Sequence, residues 1–117
     1  MNQQILIDTY GLKGSQQDLK APPNPQEVKT AEAWIKIHCH RIKTVSRKSY
    51  SYWLKHRAER WGAFLRKHFE SEEFAPYISN GAFIQAAMNL GYVPVNIDFS
   101  VNACFRMGVR LSNDFIE

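Results

Sequence analysis

Ten lysines and arginines stand between Lys36 and His68 against a single acid, Glu59, and all four histidines fall in the same window. With histidines neutral the window carries +9; because the whole chain carries +4, everything outside it carries −5. A field this lopsided speaks to partners rather than to fold. The chemistry it offers is anion recognition. Lys43, Arg47, Lys48, Lys55, Arg60, Arg66 and Lys67 are candidate partners for phosphates or for an acidic protein surface, and Tyr52 is placed to stack on a base or pack against a sugar. The alternative is the solvated face of an ordinary charged helix. Such faces usually mix signs, and this one does not.

Other chemistries find less support. His38, Cys39 and His40 resemble metal ligands, but positions two apart on a helix do not share a face, and no second Cys or His pair stands at finger spacing. Glu70, Glu72 and Glu73 read as an exposed turn rather than an acid/base couple. Cys39 or Cys104 could be drawn beside a histidine as a nucleophile, yet any chain with two cysteines and four histidines permits that drawing. No glycine loop of the phosphate-cradling kind occurs. The expectation is a protein without catalysis, metal or cofactor. Ala87, Gly91 and Ile97 reproduce helix-turn-helix spacing, but the stretch that would be the recognition helix, VPVNIDFSVNA, holds a proline and alternates like a strand.

The elements that position these side chains follow from period and punctuation. QILID (4–8) reads as a short strand, and Gly11, Gly14 and the polar run after them as loop. APPNP (21–25) is a boundary, after which Asn24 fits an N-cap, Pro25 the first helical position and Glu27 the third, as in a capping box. Val28, Ala31, Ile35, Cys39 and Ile42 extend an apolar stripe, predicting a first helix to about Ile42. A second helix runs from Ser46 or Ser49 to Phe69. Its wide apolar face holds Tyr50, Leu54, Trp61, Leu65 and Phe69, joined by Trp53, Ala58 and Phe64; Lys48, Lys55, His56, Glu59, Arg60, Arg66 and Lys67 lie opposite. Gly62 within it marks close packing or a bend. ISNGAFIQAAMNLGYVP (78–94) reads as a third, central helix capped by Ser79 or Asn80 and stopped by Gly91 and Pro94, with Gln85 and Asn89 on its exposed strip. From Val93 to Leu111 apolar residues fill the odd positions, which predicts a hairpin turning through Ser100, Val101 and Asn102, with Asn102 left-handed.

Together these give an α+β protein: about three helices packed on a small antiparallel sheet, in one domain over 1–117, with strand and loop to residue 24, a helical part over 25–92 and a β-hairpin over 93–112. A length of 117 residues, 44% of them hydrophobic and 13% aromatic, allows a core without staples. No window approaches the roughly 18 apolar residues of a membrane span. MNQQILIDTYG lacks the basic start and apolar run of a secretory signal, and Cys39 and Cys104 read as free thiols. The expected location is the cytoplasm.

SYWLKH (51–56), YISNGAFIQAAMNLGY (77–92) and NACFRM (102–107) resemble a family of small phage- and plasmid-encoded proteins that share a Ser-Tyr-x-Leu-Lys-His stretch, Asn-Gly-Ala-Phe-Ile followed by alanines, and an Asn-Ala-x-Phe strand. The likeness spans about 44–107. Trp53 replaces the usual glycine, and FLRKHFESEEFAP lengthens the gap. The family brings no settled biochemistry; the resemblance implies mobile-element origin in a bacterial host, where small proteins regulate DNA or inhibit a defence complex such as a CRISPR effector. The expected function is a non-catalytic binding protein that engages DNA or RNA, or a complex handling nucleic acid, through its basic second helix. The alternative is a stoichiometric inhibitor of the anti-CRISPR kind, whose basic face meets an acidic surface.

Overall fold

The computed structural model describes residues 5–110 and shows an α+β fold with three helices and two small antiparallel sheets. A hairpin comes first: β1 (Leu6–Asp8) pairs with β2 (Gly11–Lys13), where only one strand was expected. Helix α1 (Pro25–His38) starts as its sequence dictates, with the Asn24 side chain accepting from the amides of Gln26 and Glu27. The capping box is only half made. Glu27 turns away and accepts from the Ser79 amide at 2.9 Å, tying the start of one helix to the start of another.

Helix α1 ends four residues earlier than the apolar stripe implied. Cys39 opens β3 (Cys39–Ser46), which pairs antiparallel with β4 (Phe105–Val109). The expected C-terminal hairpin is thereby corrected. Among the described residues only Val95 and Cys104 bridge across it, by hydrogen bonds of 2.9 and 2.8 Å, and the partners of β4 lie 59 to 70 residues upstream. The left-handed residue of the intervening loop is Phe99 (φ 58°), not Asn102. Residues 111 and 112 of that expected hairpin lie outside the described residues.

Helix α2 (Ser51–His68) begins later than Ser46, because a 3-10 turn (Arg47–Ser49) intervenes. Two buried serines splice the turn and the helix to the last strand. Ser49 Oγ accepts from the Phe105 amide at 2.9 Å and lies 2.7 Å from the Phe105 carbonyl, and Ser51 exchanges amide, carbonyl and hydroxyl bonds with Ala103. At Gly62 the explanation is close packing: a Cβ there would stand 2.4 Å from the Ala75 carbonyl.

Helix α3 (Asn80–Asn89) is the centre, as its composition implied. Ala82, Phe83, Ile84, Ala86 and Ala87 are fully buried, and they pack with Trp34, Ile35, Leu54, Ala58, Phe105 and Met107 in one core. Ser79 is its cap, and Gln85, Asn89 and Glu32 form a hydrogen-bonded row on its outer side. Gly81 has a steric reason. A Cβ would lie 1.7 Å from the Asp8 carbonyl oxygen, so the first turn of α3 rests directly on the backbone of the β1–β2 turn.

Candidate nucleic-acid interface

The window of ten cations divides into those the fold consumes and those it presents. Lys55 is consumed. It is 6% exposed, its ammonium stands 3.1 Å from Glu59 Oε2, and Tyr52 and Tyr77 flank it with ring centroids at 5.6 and 4.9 Å. Glu59 also receives the Ile78 amide at 3.0 Å and His56 Nδ1 at 2.9 Å, so the pair anchors the segment entering α3. Arg66 is half-buried and donates to the Phe74 carbonyl at 3.0 Å, holding the loop after α2. Lys55 therefore does not stand on an open anion-binding face as expected, and Arg66 does so only in part: each donates to a group four or eight residues further along the chain. Arg41 is likewise committed, donating to the Leu90 and Gly91 carbonyls at the end of α3 and stacking 4.5 Å from the Tyr92 ring.

Lys43, Arg47 and Lys48 are exposed, but none of them belongs to a helix face. Lys43 rides a bulge in β3: Arg41 pairs with Met107 and Ser46 with Phe105, so four residues, Ile42 to Val45, lie opposite Arg106 alone. Extra residues in one strand bend it outward and leave their side chains unpaired. Arg47 and Lys48 follow in the 3-10 turn, and Arg106, which the sequence window omitted, is exposed on the facing strand. None of these four forms an ion pair with another described residue. They sit just ahead of the positive end of α2, whose first turn contains no acid. Along α2 itself the exposed cations are Arg60 and Lys67.

The aromatic content of the site differs from expectation as well. Tyr52 is 44% exposed, as its assignment required, but Trp53 is 61% exposed and not part of the apolar face. Tyr77, which was not among the expected site residues, is 56% exposed on the other side of Lys55. Tyr52 meets His56 edge to face at 4.6 Å and Trp53 at 5.7 Å. The signal for Trp53 was present: Leu54, Ala58, Trp61 and Leu65 already complete the helical stripe without it.

The side chains weighed for other chemistry disperse. His38 is buried and stacked on Trp34, with Nδ1 3.1 Å from the Trp34 carbonyl, while His40 is exposed on the strand. No group of three metal-ligating side chains occurs among the described residues. Cys39 and Cys104 are buried and form no disulfide with each other; burial, then the nearby Asp98 carboxylate, pushes the Cys104 thiol up, against a smaller pull from Arg47. A thiol so placed stays protonated at neutral pH and is a poor nucleophile. Asp98 itself is held down by hydrogen bonds from Ser100 and Tyr50. Among the described residues after Gly91, 92–110, there is no recognition helix.

No family model, curated protein or solved structure matches this chain. Among the described residues no helix is long and apolar enough to cross a membrane.

Proposed function

We propose that this is a non-catalytic binding protein, of phage or mobile-element type and active in the bacterial cytoplasm, that engages nucleic acid through a basic edge. The edge consists of Lys43, Arg47, Lys48 and Arg106 and continues to Arg60 and Lys67 on α2. One observation carries the reading: four exposed cations stand on the β3 bulge, the strand facing it and the turn after it, and none of them is ion-paired to a carboxylate of the described residues. Exposed like charges repel one another, and a polyanion relieves that repulsion while releasing counterions. The test is a salt titration of binding to a labelled 20-base-pair duplex. Three to five phosphate contacts give a log–log slope of about −2.7 to −4.5, and no binding at low salt, or a flat slope, refutes the reading.

A second reading, a stoichiometric inhibitor of a defence complex such as a CRISPR effector, is favoured by Phe99. Its ring is entirely exposed on a left-handed residue, in a loop stiffened by Asn96, Asp98, Ser100 and Asn102. Rigid exposed aromatics anchor protein interfaces. Under this reading Phe99→Ala abolishes capture of a host protein complex that resists nuclease treatment, and Lys48→Ala does not.

A further inference from the structure

Resting on the nucleic-acid reading, we infer that the ligand is single-stranded, its bases stacked on Tyr52 and Trp53 with Tyr77 beside them, while its phosphates follow Lys48, Arg47 and Lys43. Three observations point this way. The first is the clustering of large exposed rings where the basic edge runs into α2. Trp53, Tyr77 and Tyr52 are 61%, 56% and 44% exposed, and the two tyrosines flank the single ammonium of Lys55. Grouped exposed rings, unlike scattered ones, mark a surface that something covers, and bases without a pairing strand offer π-faces to cover it.

The second is rigidity. Tyr52 is pinned edge to face by His56 and Trp53, and the Lys55–Glu59 pair fixes both the helix and the Ile78 amide next to Tyr77. Stacking on pre-ordered rings loses little conformational entropy. The third is what the helix lacks. With Lys55 and Arg66 consumed, the outward stripe of α2 runs Tyr52, His56, Arg60, Ala63 and Lys67, which holds two of the arginines and lysines over 18 residues. A duplex-reading helix needs cations along its length, whereas a single strand needs rings at one end and charge alongside.

The protein supplies its own probe. Trp34 and Trp61 are buried and Trp53 is the exposed one of the three tryptophans, so its emission reports stacking. The experiment compares dT12, rU12 and a 12-base-pair duplex by anisotropy and by tryptophan quenching. Single strands are expected to bind at least ~10-fold more tightly than duplex and to quench emission; a preference for dT12 or rU12 assigns DNA or RNA. Tyr52→Ala and Trp53→Ala each weaken single-strand binding roughly 5- to 150-fold with little change in salt slope, and Trp53→Phe restores most of the affinity without the signal. Melting curves check that each variant folds. Equal binding of duplex and single strand, or ring variants that bind like the parent, overturns the stacking site and leaves the basic edge standing. Absence of binding to all three overturns both.

Discussion

Lys55→Met separates cations that hold the fold from cations that hold a ligand. The Lys55 ammonium and the Glu59 carboxylate are 3.1 Å apart, with side chains 8% and 13% exposed. At an effective dielectric near 20 such a pair attracts by about 5 kcal/mol, much of it offset by desolvation. Methionine matches the length of the lysine stem but strands the carboxylate, which typically costs 3–5 kcal/mol. The lower figure applies, because His56 and the Ile78 amide still donate to Glu59. About 3 kcal/mol corresponds to a melting temperature roughly 12 °C lower in a chain of this size. Adding Glu59→Gln removes the stranded charge while keeping an acceptor for the Ile78 amide, so the double variant should regain part of the loss. Thermal melts by circular dichroism read both. Oligonucleotide binding by folded Lys55→Met should keep its salt slope, whereas Lys48→Ala should lower the slope by about 0.7–0.9 without moving the melt. An unchanged melt for Lys55→Met together with a reduced slope would show that Lys55 is a phosphate contact after all.

Ser49→Ala leaves the Phe105 amide buried without an acceptor and should cost about 1–3 kcal/mol in urea unfolding, with unchanged binding per folded molecule. Gly81→Ala drives a methyl group against the Asp8 carbonyl, so the β1–β2 hairpin must lift; a loss of at least ~3 kcal/mol and early proteolytic cleavage of the hairpin are expected. Asp8 gives the acid limb of stability. Burial pushes its carboxyl up, but the Lys20 and Tyr10 amides and the Lys13 ammonium together outweigh burial and hold it below the ordinary 3.8. The unfolded chain therefore binds the proton more readily, so this stabilisation is complete above about pH 4–5 and disappears as pH falls through the folded value. Urea midpoints against pH should show an acid limb that flattens in Asp8→Asn.

The helices were legible because their stripes are local. Val28, Ala31 and Ile35 repeat on one face of α1, and the dense apolar run from Phe83 to Ala87 admits only a buried helix. The error at β3 has the same origin: Cys39 and Ile42 prolong the α1 stripe in perfect register. Against that stood Ile42, Thr44 and Val45, β-branched residues with strand preference, whose pairing partner lies too far along the chain for periodicity to reveal. Likewise, alternation from Val93 onward is real, but alternation states that residues are extended, not which strand they meet. At the site, the i,i+4 spacing of Lys55 and Glu59 was visible and pointed to a pair. What no local pattern could supply was the Ile78 amide and the Tyr77 ring that bury it.

The strand assignment gives part of the basic edge a structural explanation that competes with ligand binding. Among the described residues β3 and β4 form a two-stranded sheet, so each has an open edge, and charged side chains at open edges discourage pairing between molecules. Lys43 and Arg106 can be guards of this kind. Arg47 and Lys48 cannot, because they stand beyond the strand in the 3-10 turn, where no ladder is exposed. The two explanations part over the sign of the charge. A guard works with either sign, since it acts by solvation and by repulsion between like copies, while a phosphate contact needs a cation. Lys43→Glu should therefore stay monomeric in sedimentation at high protein concentration while its oligonucleotide affinity falls, and Lys43→Val should lose affinity and self-associate. If Lys43→Glu binds as tightly as the parent, Lys43 is only a guard, and the phosphate-binding edge begins at Arg47.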